Sequence, residues 1–204
     1  EAAQIRKENT VFAEHGIWQN KTVYLSLGEN KLVSSAVRTS ANIFQVGRTQ
    51  PLLGRTLEPG DSKEGQPPVV VISYSIWQSQ FAGSEQVIGR RVYINDILTE
   101  VIGVMPKGFR FPISHDLWLP IEQRILDPLA TDREKVEFFG RLKAGVTEEQ
   151  AQQQVFDIAT NAFNGRANLW PGVELIRADV GLFQQFDIVP EMKLFSFAMN
   201  MVAL

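Results

Sequence analysis

His15 and His115 are the only imidazoles in the chain, and neither has a His, Cys or acidic residue at the helical spacing that a zinc site would use. Asp116 follows His115. Adjacent residues on a strand point to opposite faces, however, so the pair is poorly arranged for joint metal or acid–base work. The plainer reading is a loop histidine ahead of an Asp-Leu-Trp-Leu-Pro strand. Glu58, Asp61 and Glu64 could offer oxygens to a hard cation, but their spacing lacks the D-x-D-x-D-G order of a calcium loop. The Pro, Gly and Lys63 around them suit an ordinary solvated loop. Cysteine is absent, which removes disulfides, thiolate metal sites and Cys nucleophiles together. No G-x-S-x-G, G-x-G-x-x-G or Walker A sequence is present, so the sequence predicts no catalytic residue, no metal and no cofactor.

Aromatic residues offer a different kind of chemistry. Trp77, Phe81, Phe109, Phe111 and Trp118 could line a groove for an apolar or sugar ligand, although such residues usually belong to a core. Core is the expected place for Trp77 and Phe81. Phe109 and Phe111 flank Arg110 in a loop bounded by Gly and Pro, so Phe109, Arg110 and Phe111 are the candidate partner or ligand surface.

The elements that must position these residues can be read from periodicity. Glu1–Asn9 reads as the end of a helix. Trp18–Leu27 places Val23, Leu25 and Leu27 on one face and leads through Gly28 into Leu32–Arg38, a hairpin pattern. Ser40–Phe44 starts a helical turn, and Gly47–Gly65 is rich in Pro and Gly breakers. Val69–Ile72 suits a strand buried on both faces, and Ser73 or Ser75 can cap the helix that follows and ends at Gly83. Arg91–Asn95 and Leu98–Met105 flank Asn95-Asp96, a hairpin turn. Thr147 and Gln150 have capping-box spacing at the head of an amphipathic helix whose stripe is Ala151, Val155, Ile158, Ala159, Ala162 and Phe163. Phe138–Lys143 before it and Val173–Ala178 after it read as strands of a β-α-β unit. These strands either pair directly or flank a third.

At 204 residues, 44% apolar and with 13 Phe and 4 Trp, the chain can bury a substantial core as one domain or two small ones. A net charge of −3 with both signs dispersed offers no basic field for nucleic acid. The first ten residues are polar and charged and carry no secretory-signal pattern. The final run, LFSFAMNMVAL, is shorter than the roughly 20 residues of a membrane-spanning helix. It suits a core helix, an interfacial segment or the beginning of a span.

Several motifs in fixed order carry a family resemblance. Ser40-Ala41-Asn42-Ile43-Phe44 resembles S-x-N-Y-F, Pro51-x-x-Gly54-Arg55 resembles P-x-L-G-R, and Val69–Ser73 with Trp77 and Phe81 resembles VVVLS-x-x-x-W-x-x-x-F. Val87-x-Gly89-Arg90, then Val101–Pro106 with Gly108-Phe109 and Asp116-Leu117-Trp118-x-Pro120, complete a central block. Arg141-Leu142-Lys143-x-Gly145-Val146-Thr147 with Gln150-Ala151 resembles RLKPGVT-x-x-QA. Across roughly residues 33 to 163 this order is similar to the extracytoplasmic core domain of MacB/FtsX-type ABC transporter permeases. Two positions depart from it. Arg48 stands where the family usually has Gly, so the turn after Phe44 can take a different conformation. Ala144 replaces a Pro that only pre-sets a turn.

The resemblance implies an α+β fold with a discontinuous porter-like, ferredoxin-type α/β subdomain, residues 1–38 and 129–187. A β-rich subdomain, residues 39–128, is inserted into it. Residues 188–204 form an apolar stub where the family's second span begins. It further implies a non-catalytic domain on the periplasmic or extracellular side of the cell membrane that couples cytoplasmic ATP-driven motion to export or extracytoplasmic substrate handling. The implied partners are a cytoplasmic ATPase domain or subunit, a periplasmic adaptor, and a second permease copy held through membrane and cytoplasmic parts, with the fragment alone a monomer. Two other readings compete: a free-standing ligand-binding module using the aromatic loop, and a hydrolase using His115 and Asp116.

Overall fold

The computed structural model describes residues 9–28, 30–122, 136–164, 173–182 and 194–203. The helix expected over Glu1–Asn9 lies outside them except for Asn9. The fold is a strand-rich mixture of ten strands and three α-helices among the described residues. Contacts divide the chain into two units, Glu1–Ile17 with Glu137–Leu204, and Trp18–Val136. By chain path the second unit is an insertion into the first.

In the inserted unit, strand β1 (Phe12–Leu27) turns at Gly28 into β2 (Asn30–Thr39), with Leu25 opposite Leu32 and Trp18 opposite Thr39. The hairpin is the one its alternation predicts. Its residues from Trp18 onward belong to the inserted unit, whereas the sequence reading groups residues up to Arg38 with the flanking part. The reason is a set of non-local partners: β2 pairs in parallel with β7 (Leu117–Pro120), and β1 pairs with β5 (Arg91–Ile94). Strand β7 continues to β4 (Val69–Ile72), β4 pairs in parallel with β6 (Ile97–Val104), and β6 pairs with β5. The pairings therefore close into a six-stranded ring. A short strand β3 (Leu53–Gly54) takes the side of β6 beyond the end of β5.

The ring is filled by Val23, Leu25, Ala36, Val70, Ile72, Val92, Ile94, Val101 and Leu117, and the cluster extends to Ile76, Trp77 and Phe81. The last three belong to helix α2 (Tyr74–Phe81), which follows α1 (Ile43–Val46). Ser73 caps α2 by accepting from the Ile76 N–H at 3.1 Å, which satisfies one of the free donors of the first turn. Ala82 and Gly83, both at positive φ, end it. All four residues of β4 are buried, as a strand covered on both faces requires. Asn95 and Asp96 both take positive φ in the β5–β6 turn, as a two-residue hairpin turn needs.

In the other unit, β8 (Glu137–Leu142) leads into helix α3 (Glu148–Asn164). The Thr147 N–H donates to Gln150 Oε1 at 2.9 Å and the Gln150 N–H donates to Thr147 Oγ1 at 3.3 Å, forming the expected capping box. Ala151, Val155 and Ile158 are buried. Strand β9 (Val173–Leu182) follows, and β10 (Leu194–Ala203) pairs antiparallel with both β8 and β9. The strands around α3 thus flank a third. That third strand is the apolar run for which the sequence reading offered a helix or the start of a span. Four partners on β8 and nine on β9 are a strand's way of satisfying its backbone polar groups. Among the described residues no helix is long and apolar enough to cross a membrane.

Candidate interaction surface

The aromatic loop expected at the surface turns inward. Phe109 and Phe111 are 6% and 1% exposed, which corrects their assignment as a partner or ligand surface; only Arg110 is exposed. The Phe109 ring stacks on Phe44 at 5.7 Å and meets Trp118 at 5.2 Å, and Phe44 meets Trp118 edge-on. Three large rings in mutual contact are stable only where water is excluded. The Trp118 indole N–H donates to the Phe111 carbonyl at 3.0 Å, so the loop is fastened to β7 as well as packed on it. Trp77 and Phe81 lie in the core as expected, and the Trp77 indole donates to the Ser84 carbonyl at 2.9 Å.

His115 lies in the loop just ahead of β7, where the sequence reading has it, and is buried at 4% exposure, which pushes its pKa down to about 4. Its ring meets Trp18 edge-on at 5.9 Å. Asp116 faces elsewhere: its carboxylate accepts from Ser35 Oγ at 3.2 Å, and its backbone joins β2 and β4 through the Ser35 carbonyl and the Ser73 N–H. The two residues therefore share no acid–base geometry. Of the three acids considered for a cation, Asp61 forms a two-pronged pair with Arg55, at 2.7 and 2.9 Å, and accepts from the Glu58 N–H at 2.8 Å. Burial raises the Asp61 pKa, but the Arg55 hydrogen bond, the Glu58 N–H and the Arg55 charge together hold it below 3.8. That carboxylate is committed to holding its loop. Among the described residues no group of three or more His, Cys, Asp or Glu could hold a metal.

The ring does expose an apolar stripe on its outer wall. Tyr24 and Val33 are paired across β1 and β2, and Tyr93 and Leu98 across β5 and β6; their exposures are 58%, 61%, 49% and 42%. Ser26 opposite Tyr93 joins the two pairs. The signal was present in the alternation, since Val23, Leu25 and Leu27 inside force Tyr24 outside. Around one mouth of the ring lies a cleft of about 860 Å³ whose lining includes Val23, Val69, Ile94, Thr99 and Leu119, with Lys63 of the facing loop at its rim.

Among the described residues the inserted unit is thus a small closed barrel with an exposed apolar stripe on its outer wall. The chain belongs to the MacB-like periplasmic core domain family, whose model matches residues 1–158. It is thus an extracytoplasmic domain of a MacB-like ABC transporter permease, a class that works with ATPase subunits. Its fold is similar to the periplasmic region of MacB from Actinobacillus actinomycetemcomitans, with TM-score 0.65 and 18% identity over 80% of this chain and 73% of that one. The extracellular domain of YknZ, a noncanonical ABC-type transporter from Gram-positive bacteria, aligns with TM-score 0.60 and 16% identity over 81% and 83%. A permease-protein domain from Porphyromonas gingivalis aligns with TM-score 0.56 and 17% identity over 96% and 80%. No curated protein matches the sequence.

Proposed function

We propose that this domain is a non-catalytic transmission element, carrying motion driven by ATP in the cytoplasm to export or substrate handling outside the membrane. The observation that supports it is the closed ring of β1, β2, β7, β4, β6 and β5, filled through its centre. A close-packed barrel deforms little and so moves as a body when it is pushed. We read the unit containing β8, α3, β9 and β10 as the porter-like, ferredoxin-type part and the barrel as its β-rich insertion. The partners in this reading are the ATPase domain or subunit and a periplasmic adaptor that meets the Tyr24, Val33, Tyr93 and Leu98 stripe. The permease dimerises through its membrane and cytoplasmic parts, and the isolated domain is a monomer. The free-standing ligand-binding module loses the feature it relied on, because Phe109 and Phe111 are core residues.

The test is Tyr24→Ser combined with Tyr93→Ser in the full permease, followed by export, ATP hydrolysis and melting of the isolated domain. Export should fall about tenfold or more while ATP hydrolysis persists, the mark of broken coupling. Melting should move by no more than about 2 °C, as for other surface substitutions. Unchanged export with an intact melt would overturn the contact face.

A further inference from the structure

We propose that His115 makes the barrel unit acid-sensitive: to take up a proton it must leave its place against Trp18, and the start of β7 opens with it. Both ring nitrogens of His115 are buried and find no hydrogen-bond partner among the described residues, and the same is true of the Trp18 indole N–H and the Ser34 hydroxyl. Ser34 precedes Ser35, whose carbonyl accepts the Asp116 N–H at 3.0 Å, so Ser34 and His115 are neighbours where β2 runs beside the start of β7, and the Trp18 ring reaches His115 from β1. An imidazolium there would have two donors and no acceptor.

Among the described residues no charge compensates it. From β7 the neighbouring carboxylate, Asp116, is turned to Ser35; from β1 the contact is the neutral Trp18; from β2 the adjoining residues are Ser34 and Ser35. Burial is accordingly the one cause of the lowered His115 pKa, about 4 against an ordinary 6.5. The sign follows from linkage. The folded state holds His115 neutral while the unfolded state binds a proton below 6.5, so stability is complete above that value and declines as pH falls from 6.5 towards 4. His15, in the other unit, is half-buried and stacked on Phe138. This inference concerns the chain itself and does not depend on the transport reading.

With only two histidines, His15→Gln leaves a single imidazole whose NMR signals report His115 alone. We expect no titration of the folded signal down to about pH 5, followed by its loss together with the native signals of Leu117 and Trp118. Between pH 7 and 4.5 the melting temperature of the unaltered chain should fall about 5–10 °C further than that of His115→Gln. A folded-state titration near 6.5 would overturn the proposal even if His115→Gln failed to fold. Equal acid losses in the unaltered chain and a folded His115→Gln would overturn it as well.

Discussion

Gly54 and Gly103 stand opposite each other where β3 meets β6. Neither has room for a side chain: a Cβ on Gly54 would land on the Ile102 carbonyl, and one on Gly103 on the Arg55 carbonyl. The facing glycines let two backbones approach closely, and Gly54 also takes a φ of 69°. They account in physical terms for the glycines of the Pro51-x-x-Gly54-Arg55 and Val101-Ile102-Gly103 segments.

Gly103→Ala should therefore destabilise the domain by about 2–3 kcal/mol, because the atom in the way is backbone and cannot rotate aside. Urea unfolding would measure it. A loss under about 0.5 kcal/mol, the range of an ordinary surface change, would mean that β3 detaches freely from β6.

Phe109→Ala should cost about 3–5 kcal/mol, the range for a buried ring, whereas Arg110→Ala should cost no more than about 0.5 kcal/mol. Thermal melts of the two variants separate a core role from a surface role. If the order is reversed, the loop presents its rings to solvent.

Arg48 occupies the left-handed region at φ 48°, in an exposed position just past α1. The turn keeps a backbone that glycine adopts without strain, although the sequence left room for a different one. Relief of that strain outweighs the greater freedom glycine gives the unfolded chain, so Arg48→Gly should stabilise by about 0.5–1 kcal/mol. A lower melting temperature would show that the Arg48 side chain contributes more than its backbone costs.

Asp61→Asn should cost about 1 kcal/mol at neutral pH, a modest value because the Arg55 side chain is 42% exposed. The folded carboxyl has the lower pKa, so its contribution is complete above the unfolded value of 3.8 and fades as pH falls through the lower folded one. Chemical melts at pH 7 and at pH 3 check this. The gap between the unaltered chain and Asp61→Asn should shrink at the acid end.

What the sequence made legible was local. The β1–β2 hairpin, the Ser73 cap, the Asn95-Asp96 turn and the Thr147–Gln150 box each depend on residues a few positions apart, and each appears where its pattern sits. Closure of the ring was not legible, because the β2–β7 and β4–β6 pairs join distant segments in parallel and leave no turn signature. For the same reason Trp18–Arg38 read as part of the flanking subdomain. Phe109 and Phe111 looked exposed because Gly and Pro surround them, yet contact with Phe44 and Trp118 decides their burial. Leu194–Ala203 is apolar enough for several structures, and only partners on both sides make it a strand.

The parallel pairing of β2 with β7 also sets a timetable for biosynthesis. Ala36 lies opposite Leu117, so the first hairpin leaves the ribosome long before its neighbour exists. Until Leu117–Pro120 has been made, the outer edge of β2 and one edge of β4 both carry unpaired backbone groups. Such edges invite pairing with other chains, and contacts between distant segments form slowly. The last strand of the ring to be synthesised covers both edges at once, so a nascent chain stalled before Leu117 would be far more prone to aggregate than one stalled just after Pro120.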